Sequence, residues 1–330
     1  MQKIRWGVLS TAKIGREKVI PALQSSAHNQ VIAICSRTQE SARAVADQLN
    51  IAKAYGHYHE LLADPEIDAI YNPLPNHLHV EWSIKALEAG KHVLCEKPLG
   101  LNTEDAQRLV DAAKAHPHLK VMEAFMYRFH PQWQLVKKLI DEGRIGKLRS
   151  VHSNFSYNNR DSDNIRNKIE MGGGALLDIG CYSISLSRWL FNEEPAQVMG
   201  HITPFPGEEV DCLVSGILEF NDGAATFTTS TKIEPQQFVE ASGEEGSLYL
   251  SQPFYGPTDS SPKTIRITRN RDVEEINIPP ANHYSEMGDA FAQSIFNNTP
   301  APASLEDAIA NMRAIDAIFE SAAEGQWIEL

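Results

Sequence analysis

Cysteine is scarce in this sequence: four residues in 330, at positions 35, 95, 181 and 212. They are too few and too scattered for a disulfide framework, and none forms the CxxC pair typical of structural zinc. Cys95 and Cys181 therefore read as small buried hydrophobes. His79, His130 and His152 lack the carboxylate spacing that a bound ion demands, so no metal is expected. Positive charge is also in short supply, with 30 Lys and Arg against 43 Asp and Glu, a formal net charge of −13. A nucleic-acid partner needs a clustered basic surface, which this balance disfavours. No run reaches the ~20 apolar residues that span a bilayer. The start, Met1-Gln2-Lys3-Ile4-Arg5-Trp6-Gly7, shows neither an apolar signal core nor an arginine-rich transit segment. The expectation is a cytoplasmic protein without membrane or nucleic-acid partners. Internal repeats and low-complexity segments are absent as well.

What is present is a globular composition, 42% hydrophobic and 22% charged, on a chain long enough for two domains. Over the first third, β-rich runs at 4–9, 30–35, 54–55, 69–72, 92–95 and 120–123 alternate with helical periodicity. The helical stretches are 14–25, 40–49, 58–62, 79–89 and 103–115, the last with Thr103 as cap. Such alternation predicts a doubly wound parallel sheet covered on both faces. The pattern then changes. A helix at 131–142 precedes a strand at 148–157 and a long helical stretch at 174–191. Strands follow at 196–203, 212–220, 224–232, 237–241, 247–250, 264–269 and 274–278. Asn221-Asp222-Gly223 is a hairpin signal, and residues 253–257 and 259–262 form a turn-rich loop. Helices at 285–296 and 305–323 close the chain, with Ser304 and Asp307 as a capping box. The fold expected is α/β: a Rossmann domain over 1–123, then an α+β domain over 124–330. The second domain would carry a large, mostly antiparallel open-faced sheet, and the C-terminal helices would pack back on the first.

The first strand runs into Ser10-Thr11-Ala12-Lys13-Ile14-Gly15. Ser10, Ala12 and Gly15 occupy the places of the GxGxxG fingerprint, small enough for backbone amides to approach a pyrophosphate at a helix N-terminus. At the end of the second strand, NAD enzymes place an acidic residue on the ribose 2′-hydroxyl. This chain has Ser36 and Arg37 there, a hydroxyl and a guanidinium suited to a 2′-phosphate. NADP is expected over NAD.

Four ordered motifs resemble the glucose–fructose oxidoreductase, inositol dehydrogenase and MocA family. They are Asn72-Pro73-Leu74-Pro75-Asn76-His77, Glu96-Lys97-Pro98, the segment from Glu123 through Arg128 to Pro131, and Gly172-Gly173-Gly174 leading to Asp178 and Tyr182. The family commonly carries His where this chain has Tyr182. In that departure the chain resembles the subgroup containing dimeric dihydrodiol dehydrogenase and NADP-dependent xylose dehydrogenase. The resemblance implies hydride transfer at a hydroxyl or carbonyl carbon, often of a sugar. It places Pro73, Leu74, Asn76, His77, Glu96, Lys97 and Arg128 beside the nucleotide.

Lys97, Tyr182 and Asp178 are the catalytic candidates. A phenol near pKa 10 is a poor base at neutral pH, and a neighbouring ammonium lowers that value. Either Tyr182 exchanges the proton while Lys97 tunes it, or Lys97 lies closest to the reacting oxygen. Asp178, four residues before Tyr182, shares its helix face; it would orient substrate hydroxyls or pair with Lys97. An aldose-type substrate leads, with a dihydrodiol or dicarbonyl as the alternative. A nucleotide-binding regulator without turnover is the reading of another class. A homodimer or homotetramer through the C-terminal sheet is expected.

Overall fold

The computed structural model describes residues 3–255 and 261–330. Of the turn-rich loop, Gly256, Pro257, Asp259 and Ser260 lie outside the described residues, as do Met1 and Gln2. The chain divides into two compact units: residues 1–126 with 282–309, and 127–281 with 310–330.

The first unit alternates β1 (Ile4–Leu9), α1 (Ile20–Ser25), β2 (Asn29–Cys35), α2 (Gln39–Gln48), β3 (Lys53–Tyr55), α3 (Tyr58–Leu62), β4 (Ala69–Asn72), α4 (His79–Glu88), β5 (His92–Cys95), α5 (Thr103–Ala115) and β6 (Val121–Glu123). Its strands pair in the order β3-β2-β1-β4-β5-β6, all parallel. The strand order reverses between β1 and β4, where ligands bind at the carboxyl ends of the strands in such sheets. Apolar runs such as Trp6, Val8 and Leu9 are fully buried because helices cover both sheet faces.

Two local details differ from the expected helices. The stretch after β1 opens as a π turn, Gly15–Val19, closed by Ile20 N–H donating to Gly15 O. Pro21 supplies no amide to the Glu17 carbonyl and its ring crowds that carbonyl, so the helix widens just before it. At α5 the cap is Asn102, whose extended backbone aims its side chain at the Asp105 amide; Thr103 is already helical.

The second unit holds α6 (Pro131–Asp141), β7 (Leu148–Asn158), α7 (Cys181–Phe191), β8 (Gln197–Ile202), β9 (Leu213–Phe220), β10 (Gly223–Ser230), β11 (Lys232–Gly243), β12 (Ser247–Leu250), β13 (Lys263–Arg269) and β14 (Asp272–Ile278). After them come α8 (His283–Phe296), α9 (Leu305–Glu324) and β15 (Ile328–Glu329). The sheet order is β14-β13-β12-β11-β7-β10-β9-β8-β15. Only β7 and β10 pair in parallel; the other ladders are antiparallel. Asn221 and Asp222 form the two-residue loop of the β9–β10 hairpin, with Phe220 opposite Gly223. One sheet face is apolar: Val214, Leu218 and Phe220 alternate inward while Ser215, Ile217 and Glu219 face out. Against this inner face lies α9, and a Cβ on Gly200 of β8 would sit 2.4 Å from the Ile318 carbonyl. Ser304 Oγ accepts the Asp307 amide at the start of α9, as its capping residue. By contrast, α8 belongs to the first unit: Phe291 packs on Trp6 at 5.7 Å, and Asp289 accepts from Asn29 at 2.8 Å. Among the described residues no helix is long and apolar enough to cross a membrane.

His92 and His130 make the fold acid-sensitive through their accepting nitrogens, beside His79, which burial also depresses to about 4. His92 Nδ1 accepts the Lys120 amide and His130 Nδ1 accepts the Gln132 amide, so each ring needs that lone pair unprotonated. Burial, the largest cause in both, pushes them down from 6.5 to about 4. A group whose folded value is depressed in this way binds its proton more readily when unfolded. Its stabilising contribution is complete above the unfolded value and is lost as pH falls from about 6.5 toward 4. Urea titrations at pH 7 and pH 5 should differ by about 1–2 kcal/mol for each ring, and His130→Asn, which keeps an acceptor without titrating, should remove its share.

Candidate active site

In the first unit the phosphate turn follows directly from β1. Ser10 adopts φ 77°, a left-handed backbone that the fingerprint normally gives to glycine. Its hydroxyl accepts the Ala12 amide at 3.2 Å and reaches Pro73 O at 3.5 Å, tying the turn to the end of β4. Thr11 Oγ1 lies 3.4 Å from Ser36 Oγ, which joins the turn to the end of β2. Lys13 and Ile14 open the helical run, so by position their amides lack intrahelical acceptors. Opposite the turn, a Cβ on Gly15 would meet Tyr71 and Pro73 at 3.6 and 3.8 Å, ordinary contact distances, so this third position tolerates alanine in the structure.

Arg37 is exposed, and among the described residues no carboxylate pairs with it. The residues present thus fit a dinucleotide: free amides at a helix start, a tight small-residue turn, and a cation in place of an acidic side chain at the ribose end.

The carboxyl ends of β4 and β5 are held by buried polar contacts. Asn72 Nδ2 donates to His79 O and to Ser83 Oγ, each at 3.0 Å, while Oδ1 accepts the Leu74 amide. His79 is inaccessible, with its ring nitrogens 2.7 Å from Pro98 O and Leu74 O. It therefore spans the Pro73–Leu74 turn and the Lys97–Pro98 turn, the latter a cis peptide. Tyr71 donates to Glu96 Oε1 at 2.7 Å; burial first, then the Glu96 charge, lifts its phenol well above the usual range. Glu96 is therefore held by the scaffold, and Lys97 follows it at the sheet's carboxyl edge. Asn76 and His77 form a short 3₁₀ turn between β4 and α4, both partly exposed.

In the second unit the glycine run unwinds the chain into a helix. Gly172 and Gly174 adopt φ 74° and 113°, which L side chains rarely tolerate. A π turn, Leu176–Gly180, leads into α7, and Gly180 lets β10 approach, since a Cβ there would lie 3.2 Å from Thr229. Asp178 sits on the π turn and is buried. It accepts from Tyr157 Oη and, at 3.0 Å, from Arg166 Nε. Burial, followed by the Asp178 charge, raises the Tyr157 phenol. Nothing in the sequence marks Arg166 or Tyr157 as partners of Asp178. Twelve and twenty-one positions separate them from Asp178, distances to which no helix or strand period attaches. Tyr182 is buried among rings, with centroids 5.2 Å from Phe254, 5.7 Å from Phe155 and 5.9 Å from Tyr127. Arg128 donates to Ser185 Oγ of α7 at 2.9 Å and lies over Trp189 at 5.8 Å. All four cysteines are buried free thiols; burial lifts Cys35 to about 12 and Cys95 further, so neither offers a ready thiolate.

The structure thus gathers Ser10, Thr11, Ser36, Pro73 and Leu74 at one sheet edge with Glu96 and Lys97 on the neighbouring strand ends. Separately, it places Asp178, Tyr182 and Arg128 around α7. A dinucleotide-binding oxidoreductase is the class that this combination defines. A family model described as "Oxidoreductase family, NAD-binding Rossmann fold" matches residues 4–125, and one for the GFO/IDH/MocA C-terminal domain matches residues 133–249. The NADP-dependent D-xylose 1-dehydrogenase 2 of Haloferax volcanii is 38% identical over 98% of this chain and 99% of its own. The trans-1,2-dihydrobenzene-1,2-diol dehydrogenase of Xenopus laevis is 33% identical over 77% of each chain. A 3-ketoreductase from Actinomadura kijaniata, crystallised with NADP and TDP-benzene, superposes with a TM-score of 0.90 at 31% identity, covering 97% of this chain and 98% of that one. The chain belongs to the glucose–fructose oxidoreductase, inositol dehydrogenase and MocA family.

Proposed function

We propose that the protein is an NADP-dependent oxidoreductase that interconverts a hydroxyl and a carbonyl on a small polyhydroxylated substrate, an aldose foremost. The observation that carries this reading is Lys97 just past the carboxyl end of β5, at the same sheet edge as the phosphate turn that follows β1, in a chain that also carries Tyr182 on the glycine-led helix. Binding alone needs no proton-transfer pair, so their retention speaks for turnover rather than for a regulatory nucleotide-binding role.

A reduced nicotinamide dinucleotide held by the phosphate turn and Arg37 would supply the hydride in the reducing direction. Tyr182 gives its phenolic proton to the carbonyl oxygen as negative charge develops there. Lys97 donates a hydrogen bond to the same oxygen, and its ammonium charge favours the phenolate that Tyr182 becomes. Asp178, held by Tyr157 and Arg166, presents a fixed carboxylate that orients substrate hydroxyls. Oxidation runs the same proton path backwards. Arg37 and Ser36 would hold the 2′-phosphate, with Ser36 kept beside the phosphate turn by its 3.4 Å contact with Thr11.

A diol or dicarbonyl substrate of more apolar character is the second reading, favoured by one observation. Phe155 and Phe254 stack at 4.9 Å in the buried cluster around Tyr182, and Tyr255, packed on Phe155 at 5.6 Å, is the exposed ring that a substrate ring could stack on. Rates on D-xylose, D-glucose and a cyclic trans-diol, compared under NADP⁺, separate the two.

Calorimetry with NADPH and NADH tests the cofactor assignment. Charge-assisted hydrogen bonds to a phosphate contribute about 1.5–3 kcal/mol, so Arg37→Ala should weaken NADPH roughly 10- to 150-fold and leave NADH nearly unchanged. An unaltered preference in the variant would remove Arg37 from the phosphate site. The exposed residues on one face of the large sheet, His152, Ser215, Ile217 and Glu240 among them, support assembly through that face as a homodimer or homotetramer. Light scattering at micromolar concentration should read at least twice the chain mass.

A further inference from the structure

The start of the helix that carries Asp178 and Tyr182 is not capped by its own sequence. Gly173 and Gly174 donate to the carbonyls of Lys168 and Arg166, at 3.0 and 2.9 Å. The next two amides are taken by a single residue from the segment between β8 and β9. Ala175 N–H donates to the Asp211 carbonyl at 2.6 Å, and Leu176 N–H donates to Asp211 Oδ2 at 2.7 Å. The fit leaves no slack: a Cβ on Gly174 would lie 1.9 Å from Asp211 Oδ1. The glycine at 174 is thus what admits the carboxylate.

We propose that Asp211 is a positioning residue for the proton-transfer helix, its carboxyl group fixing the π turn that carries Asp178 and leads into the first turn of α7, where Tyr182 stands. This inference rests on the reading of Tyr182 as a proton-transfer group. A carboxylate at a helix start is favoured by the unsatisfied amides there and by the helix dipole, and both effects weaken when it is protonated. Burial, as the largest cause, lifts Asp211 to about 7, with the amides of Leu176 and Ala175 opposing and the Asp178 charge reinforcing. The charged groups around it are few. Asp178 faces it from the π turn and is itself tied to Arg166 and Tyr157. From the same segment and from β11 come Glu208 and the buried Lys232, paired with each other at 2.8 Å, and the Cys212 thiol lies beside them. The closed turn therefore binds the Asp211 proton more tightly than an opened, solvated turn would, so by linkage it is held most firmly below about 7 and opens more readily as pH rises through that value.

The test is the pH dependence of kcat from pH 5.5 to 8.5 for the wild type, Asp211→Asn and Asp211→Ala, with NADPH and the best carbonyl substrate. Wild-type kcat should fall as pH rises through about 7. Asp211→Asn, the uncharged isostere of the protonated side chain, should lose that fall and keep its low-pH kcat to pH 8. Asp211→Ala should fall roughly 10- to 100-fold in kcat with little change in KM for NADPH, as expected when a reacting group is misplaced and nucleotide binding stays intact. Amide hydrogen exchange at Ala175 and Leu176 is read in the same three proteins without turnover. Exchange should quicken at least tenfold in Asp211→Ala, and it should show a pH-dependent excess in the wild type that Asp211→Asn lacks. An active wild type whose two variants keep its kcat and its pH limb overturns the proposal, as does unchanged exchange. If the wild type reduces nothing in the screen, the reading of Tyr182 fails, and the exchange data still decide whether Asp211 holds the turn.

Discussion

Replacing Lys97 by Met, which keeps the aliphatic stem and removes the ammonium, should lower kcat by about 10³-fold, within the range that a positioned proton-transfer group contributes. NADPH binding, read by calorimetry, should change far less, because the proposed phosphate site at the first turn and Arg37 would hold the nucleotide at the other end. Tyr182→Phe should cost a comparable factor. If the two side chains serve one proton transfer, the double variant should be little slower than the worse single one, as for groups that act as a unit. Multiplying effects would mean that Lys97 and Tyr182 serve separate steps. Full activity in Lys97→Met would end the assignment, and it would return Lys97 to a solvated turn position. The pH limb of the wild type serves as an independent control, since Lys97→Met should leave the fall through pH about 7 attributed to Asp211 in place.

The second large effect concerns stability. Gly174→Ala should destabilise the protein by about 3–5 kcal/mol, the range of the most damaging single substitutions. Two causes combine. The backbone stands at φ 113°, where a Cβ is strained whatever the surroundings, and the new methyl would lie 1.9 Å from Asp211 Oδ1. The two causes are separable. Adding Asp211→Ala removes the clashing carboxylate but not the strain, so the double variant should recover part of the loss and never all of it. Urea titration followed by tryptophan fluorescence would show this as a midpoint that shifts back partway. Gly15→Ala is the contrasting substitution, because its Cβ would find only ordinary contacts, and it should change stability little.

The order of legibility follows from the range of the forces involved. Strand and helix identity came through wherever the period of apolar residues is local, as in β4, β5 and the β9–β10 hairpin, whose Asn221-Asp222-Gly223 turn is specified by three adjacent residues. Local periodicity is blind to widening caused by a proline downstream, so the π turn before Pro21 reads as ordinary helix. The cap of α5 stands one residue earlier than expected for a related reason: Asn102 and Thr103 are both good caps, and only the backbone angle decides between them. The parallel pairing of β7 with β10 joins strands about seventy residues apart, a choice made by the inner-face packing of the whole sheet rather than by either strand.

For the site, sequence alone determined the chemical inventory. The small-residue turn, the Ser36–Arg37 end of β2, Lys97, Asp178 and Tyr182 are each identifiable because they stand at ordered positions within short motifs. Tertiary structure decided their partners. Asp178 is held by Arg166 and Tyr157, the helix start is held by Asp211, and the Lys97–Pro98 turn is braced by His79 through Pro98 O. Hydrogen bonds act over about 3 Å in space and carry no trace in the sequence separation of the groups they join. Motifs therefore show which groups the chain brings to its chemistry, and only the fold shows what keeps them in place.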